Sequence, residues 1–212
     1  MSYQPKLNLR ETETAIKALK DFFEKALSLK LKLQRVSAPL FLLPETGLND
    51  NLNGSERPVS FDIKETGCVA EIVHSLAKWK RYALARYGFE PEEGLYTDMN
   101  AIRRDEICDC LHSIYVDQYD WEKIILPQQR NFEYLKQSVC DIYETLISAE
   151  QYVLSNFPSL GQGVLPEKIS FISSQELEDS YPALSAKERE YLAAKKYGAV
   201  FISQIGGRLN SG

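Results

Sequence analysis

The stretch from Gly94 to Lys123, GLYTDMNAIRRDEICDCLHSIYVDQYDWEK, leaves little choice of local structure. It reads as one long hairpin. Leu95 to Arg103 is a strand, Arg104 to Leu111 a polar turn, and His112 to Glu122 a second strand rich in β-branched and aromatic residues. A period of two sorts the second strand's side chains. His112, Ile114, Val116, Gln118, Asp120 and Glu122 share one face; Ser113, Tyr115, Asp117, Tyr119 and Trp121 share the other. Neither face is the clean apolar surface of a purely structural strand. Gln118 and Asp120 project together from a strand otherwise built for burial, and Arg103 closes the strand before it. Polar groups placed this way need partners, and a bound ligand is one candidate.

Around the hairpin the chain alternates helices and strands. Leu9 to Leu31 has helical periodicity, with Ile16, Leu19, Phe23, Ala26, Leu27 and Lys30 near one stripe. Leu33 to Leu43 reads as a strand, and its Pro39 implies an edge, a bulge or an interface, because proline cannot donate to a central ladder. Pro44 to Pro58 has loop composition, with Asp50 between two asparagines; an Asx-rich turn is the ordinary reading of that cluster. Ser75 is expected to cap a helix that runs to Tyr87 and stops at Gly88. Leu76, Ala83, Leu84 and Tyr87 gather on one face of it, and Lys80 falls in the middle of that face. Such a lysine either snorkels to the edge or meets an anion in a pocket.

Gln128 to Phe157 reads as a long core helix buried through Phe132, Leu135, Val139, Ile142, Leu146 and Val153. A short strand over Lys168–Ser173 follows, then a helical turn capped by Ser174 and ending before Pro182. Ser185 and Glu188 form a capping box that opens a helix through Tyr197, and Ala199–Ile205 reads as a buried strand. No repeat or linker divides the chain, so one domain is expected over residues 1–212.

Charge narrows the function. There are 25 Lys and Arg against 30 Asp and Glu, a net charge of −5. That balance argues against an extended nucleic-acid face, which relies on cations to neutralise phosphates, and favours a small-molecule site. The N-terminus carries no apolar signal segment, and no run is long enough to span a membrane. Cys68, Cys108, Cys110 and Cys140 are therefore expected as free thiols in the cytoplasm. CDCLH lacks the second ligand pair of a zinc site, and no metal-ligand set is assigned.

Common catalytic signatures fail. Ser75-Leu76-Ala77-Lys78 fits S-x-x-K, but its partner motifs are absent. His74 and Ser75 are adjacent at a helix entry, where they do not face each other as a dyad. Neither a G-x-x-x-x-G-K-[ST] loop nor G-x-G-x-x-G is present, so a nucleotide would need another architecture.

Five segments point to one. VHSLAKWKR from Val73, EEGLYTDMNAIRRDE from Glu92, HSIYVDQYDWE from His112, SQELEDSYP from Ser174 and GAVFISQIGG from Gly198 closely resemble the ammonia-dependent asparagine synthetases, the aspartate–ammonia ligases. The resemblance runs from the first helix to the last residue. It implies an α+β fold like the catalytic core of class II aminoacyl-tRNA synthetases, an antiparallel sheet flanked by helices. The first helix and the Pro39 strand then look like the motif that carries the homodimer interface. The hairpin looks like the motif that holds a bent ATP.

The implied reaction joins L-aspartate and ammonia at the expense of ATP, with Mg²⁺ as cofactor, through β-aspartyl-AMP, releasing AMP and pyrophosphate. On that resemblance Arg103 and Glu106 hold ATP, Arg103 suiting the α-phosphate because its fork binds two oxygens. Lys80 suits a carboxylate of aspartate and Asp120 its α-ammonium, with Ser75 a hydrogen-bonding neighbour. Gln118 lies near the reacting carbonyl, and Asp50 is the candidate for binding and deprotonating ammonium. No nucleic-acid or membrane partner is implied. Relatives continue past Gly206-Gly207 to an acidic segment and a glycine-rich third motif, so the sheet is expected to be incomplete at the C-terminus, and a polypeptide of this length inactive or nearly so. Two other readings remain: a fragment or non-catalytic relative that serves as a dimerisation or regulatory module, and a tRNA synthetase core.

Overall fold

Alternation of helix and strand is what the computed structural model shows; it describes residues 4–50, 52, 54–110 and 112–210. Asn51 beside Asp50, Leu111 in the hairpin turn, and Ser211 and Gly212 lie outside the described residues. In chain order the elements are α1 (Leu9–Leu31), β1 (Leu33–Arg35), β2 (Phe41–Leu42), β3 (Ser60–Asp62), β4 (Val69–Ile72), α2 (Ala77–Tyr87), β5 (Gly94–Ile102), β6 (Tyr115–Lys123), α3 (Phe132–Asn156), β7 (Ser170–Ser173), α4 (Ser174–Ser180), α5 (Ala186–Tyr197) and β8 (Val200–Ser203). They belong to two compact units: Leu27–Asn131, and the described residues up to Ala26 together with those from Phe132 onward.

The Leu27–Asn131 unit is built on the hairpin. β5 and β6 pair antiparallel from Gly94↔Lys123 to Ile102↔Tyr115, and Arg103 N–H continues the ladder to the Ile114 carbonyl at 2.8 Å. The second arm thus starts at Tyr115 rather than His112. Asp109 accounts for the difference: its carboxylate takes the His112 amide at 2.7 Å and folds that residue into the turn. β1 joins the other edge of β5 in parallel, giving the order β1-β5-β6. Gly94 is required there, because a Cβ on it would come within 2.6 Å of both the Glu122 carbonyl oxygen and Leu33 Cδ2.

The expected Leu33–Leu43 strand is two short strands in different sheets. Its middle contains Pro39, which cannot donate to a ladder. β2 pairs antiparallel with β4, which pairs antiparallel with β3. β3 lies in the alternating run Val59-Ser60-Phe61-Asp62-Ile63, whereas β4, Val69-Ala70-Glu71-Ile72, does not alternate.

α2 covers one face of the hairpin. Val73, Leu76, Trp79, Ala83 and Leu84 form a buried cluster with Leu95, Met99 and Ala101. Fully burying a side chain such as Leu76 or Leu95 is worth about 2 kcal/mol. The helix begins at Ala77, and Ser75 is not its N-cap: the Ser75 hydroxyl accepts the Ala77 amide two residues on, at 3.3 Å. Gly88 ends it in a left-handed conformation, φ 74°.

In the other unit Phe22 of α1 stacks on Tyr152 of α3 with ring centroids 4.5 Å apart. Ile16 and Leu19 of the predicted α1 stripe stay exposed. The buried side of α3 is also rotated from the expected one: Val139, Tyr143 and Ala149 are covered, whereas Phe132, Leu135 and Leu146 are exposed. Tyr143 sets that rotation by donating to the Pro166 carbonyl at 2.5 Å. β7 and β8 pair in parallel, so antiparallel pairing does not extend through the whole molecule. The cap of α4 is Ser173, not Ser174; Ser173 and Glu176 form a full capping box, and Ser174 donates to the Ser203 carbonyl instead. Ser185 with Glu188 opens α5 as its sequence predicts.

Candidate functional site

Met99 is paired with Gln118 and Thr97 with Asp120. Alternation then places Leu95, Thr97, Met99, Ala101 and Arg103 of the first arm on the same face as Val116, Gln118, Asp120 and Glu122. The β5 half of this face is almost fully buried beneath α2. The β6 half is partly buried and polar, at Gln118, Asp120 and Glu122. A polar row beside an apolar floor offers hydrogen-bonding groups to a polar ligand.

Lys80 reaches this face from α2. It is 3 % exposed, and its Nζ donates to the Asp120 carboxylate and, at 2.9 Å, to the Trp121 carbonyl. Glu122 Oε2 is 3.5 Å away. The lysine therefore meets an anion and does not snorkel. Asp120 keeps more access to solvent than its partner, so the pair presents opposite charges in fixed positions at one end of the polar row.

A second cluster lies toward the hairpin turn. Here a cleft of about 90 Å³ is walled by Leu52, Glu56, Arg57, His74, Arg103, Arg104, Asp105 and Glu106. Arg57 binds Asp105 in a fork: Nε at 3.1 Å from Oδ2, Nη2 to Oδ1, and its own backbone amide at 3.2 Å. Those hydrogen bonds, the side-chain ones first, hold the Asp105 carboxyl down to about 2, and raise the Arg57 guanidinium further. Asp105 is thereby committed within the wall. Two other wall groups are not: among the described residues, neither ring nitrogen of His74 nor Nε of Arg103 has a hydrogen-bond partner, and all three atoms are buried. Each such atom costs about 1–3 kcal/mol when nothing binds it.

The predicted site residues divide accordingly. Lys80 and Asp120 are in direct contact, and Arg103 and Glu106 share the cleft. Gln118 lies between these two clusters along β6. Ser75 is partly occupied in starting α2. Asp50, partly buried, is not among the residues lining the cleft; its neighbour Asn49, buried, accepts the His74 amide at 3.1 Å and donates to Glu71 Oε2 at 3.2 Å, fastening this loop to β4.

Sequence reasoning missed His74, Asn49 and the Arg57–Asp105 pair. The signal available for His74 was a polar ring at the end of the apolar run Ile72-Val73. For the others there was none, since their partners lie 22 to 48 residues away. The cysteines are free. No cluster of three or more His, Cys, Asp or Glu able to hold a metal ion occurs among the described residues. A more open cleft of about 380 Å³ lies beside Phe132, Phe171, Glu176 and Gln204; its Ser173, Glu176 and Ser203 are engaged in the Ser173 cap and the Ser203 contact.

Residues 10–212 match the family model for aspartate–ammonia ligase. The aspartate–ammonia ligase of Fusobacterium nucleatum is 60 % identical over 212 residues, covering 100 % of this chain and 64 % of that protein. Its counterpart in Clostridium perfringens is 61 % identical over 211 residues, covering 99 % of this chain and 62 % of the relative. This chain thus spans under two thirds of the length of the curated relatives it matches. Among solved structures, an asparaginyl-tRNA synthetase of Entamoeba histolytica superposes with a TM-score of 0.60 at 9 % identity, over 91 % of this chain and 44 % of that one. The Pyrococcus horikoshii asparaginyl-tRNA synthetase, complexed with asparaginyl-adenylate, gives 0.59 at 14 % identity, over 89 % and 44 %. These likenesses establish the class II synthetase type of α+β fold.

Proposed function

The chain belongs to the aspartate–ammonia ligase family, and from that premise we propose that it carries the ATP- and aspartate-binding side of an asparagine-forming site. The reaction is ATP-dependent amidation of L-aspartate. An oxygen of its β-carboxylate bonds to the α-phosphorus of ATP and pyrophosphate departs, leaving β-aspartyl-AMP. Ammonia then attacks the activated carbonyl, loses a proton, and expels AMP to give L-asparagine.

The observation that carries this reading is the order of groups along one hairpin face. The Lys80–Asp120 pair offers a cation and an anion to a zwitterionic amino acid, Lys80 to a carboxylate and Asp120 to the α-ammonium. Arg103, with its buried unpaired Nε, lies toward the turn and suits the α-phosphate. Gln118 lies between them, where the reacting carboxyl has to be, and it both donates and accepts. Fixed donors of this kind stabilise charge as it develops, without reorganising at the moment of reaction. Asp50, on the loop fastened by Asn49, is assigned to bind the incoming ammonium and take its proton; Ser75 is assigned as a neighbour of the aspartate.

Mg²⁺ supplies neutralisation of the phosphate charge when bound with the nucleotide. Glu106, in the wall beside Arg103, is the carboxylate that fits it, since a magnesium ion takes one or two carboxylates and keeps water and phosphate oxygens for the rest. A homodimer through α1 and the segment around Pro39 is supported by the exposure of Ile16, Leu19 and Leu40. No helix of the described residues is long and apolar enough to cross a membrane, and the free thiols favour a reducing cytoplasm.

Aspartate-dependent exchange of labelled pyrophosphate into ATP, by the chain extended to the length of its relatives, tests the first half-reaction directly. Lys80→Ala is expected to raise KM for aspartate, and Arg103→Ala to raise KM for ATP. Exchange that proceeds without aspartate, or kcat/KM values unaltered in both variants, would sink the reading.

A further inference from the structure

His74 is one of only two histidines in the chain, and it has no part in the roles assigned above. It is 1 % exposed, yet both ring nitrogens lack a partner among the described residues. A buried histidine kept only for packing would be expected to satisfy at least its N–H. Its setting is rigid: the backbone amide is held by Asn49 at 3.1 Å, and the preceding Val73 amide donates to the Leu40 carbonyl at 3.1 Å. The backbone that carries the ring is thus anchored in the wall of the cleft that Arg103 shares.

We infer that His74 is a phosphoryl-binding residue, donating a ring N–H to an anionic oxygen of the bound nucleotide beside Arg103 Nε. The inference rests on the proposed reaction for the identity of the nucleotide, but its chemistry is local. Arg103 Nε is a donor only, and a neutral imidazole always has one donor nitrogen. Two unpaired donors in the wall of one cleft call for an acceptor with several lone pairs, and a phosphoryl group offers three oxygens. Arg57, Arg103 and Arg104 supply positive charge to the same walls, beside the carboxylates of Glu56 and Glu106 that the counter-cation of a phosphoryl group would meet. At about 90 Å³ the cleft is small against the roughly 300–1,000 Å³ of whole-ligand pockets, so it suits one group of a larger ligand. An amino-acid carboxylate already has its match in Lys80.

The test compares binding of ATP, inorganic pyrophosphate and adenosine, by calorimetry, to the 212-residue chain and to two variants. His74→Leu keeps the volume and removes the polarity; His74→Gln keeps a donor. His74→Leu is expected to weaken ATP and pyrophosphate about tenfold while leaving adenosine unaltered, as loss of a hydrogen bond to a charged group should. His74→Gln should recover most of the affinity. His74→Leu should also melt at or above the temperature of the original chain, because it removes buried unpaired atoms; a residue with only a structural role would not combine higher stability with lost anion binding. Equal pyrophosphate affinity in folded His74→Leu, or an equal loss for adenosine, would overturn the assignment, as would failure of the unaltered chain to bind pyrophosphate. Pyrophosphate binding that depends on His74, in a protein extended to the length of its relatives yet lacking aspartate-dependent exchange, would leave this inference standing and remove the proposed reaction.

Discussion

Lys80 Nζ and the Asp120 carboxylate form an ion pair that ties α2 to β6, and the lysine is 3 % exposed while doing so. Removing one partner from a buried pair is costly because the other charge stays behind without its match. The same pair is the part of the hairpin face suited to an amino-acid zwitterion, so stability and substrate affinity are coupled at this point.

Lys80→Met is therefore expected to destabilise the fold by about 3 kcal/mol in urea unfolding. Adding Asp120→Leu should restore most of that loss, since the stranded carboxylate is then gone, while aspartate binding stays lost. A double variant as unstable as the sum of the single ones would show that the pair is not the source of the cost.

Asp105 gives a prediction in pH. Its folded carboxyl titrates at about 2 because Arg57 hydrogen-bonds the ionised form, against about 3.9 in an unfolded chain. The native state thus binds fewer protons than the unfolded state between those values. The contribution is present above about pH 4 and is lost as pH falls toward 2. In Arg57→Ala the Asp105 midpoint, followed by carboxyl carbon NMR, should rise toward about 3.9. A midpoint that stays low would assign the shift to another group.

Gly94 stands where β1, β5 and β6 converge, with the Glu122 carbonyl oxygen and Leu33 Cδ2 each 2.6 Å from the position of a Cβ. Gly94→Ala should cost about 2 kcal/mol through overpacking against backbone that cannot move freely. Thermal unfolding checks it, and an unaltered Tm would mean that the β1–β5 pairing yields easily. Gly47, with open space around its Cβ position but φ 64°, is the informative control, since strain there comes from backbone conformation alone.

Ser173 and Ser185 each close a capping box, accepting the amide three residues on while the glutamate reaches back, and the two glutamate carboxyls are held below their usual range by those hydrogen bonds. Ser185→Ala is expected to cost about 1 kcal/mol and to fray the start of α5. Amide exchange at Ala186–Glu188 reads this locally; unaltered protection there would show that α5 is fixed by its packing instead.

Local chemistry in the sequence determined the hairpin, the start of α5, the stop at Gly88 and the placing of Gln118 and Asp120 on one face, because each depends on residues close in the chain. It also flagged Lys80 as a charge on an apolar stripe, leaving open which way it turned. Only the tertiary structure decided that, through Asp120 forty residues away. The splitting of the Pro39 segment between two sheets and the rotated face of α3 were likewise set outside local periodicity, whereas β3 and β4 pair as near neighbours, Asp62 with Val69. His74 shows the limit most sharply. In the sequence it is a polar residue after an apolar run; folded, it is a buried ring with two unpaired nitrogens in the wall of an arginine-lined cleft. Its meaning depends on which hydrogen bonds burial denies it, and a sequence holds no record of that.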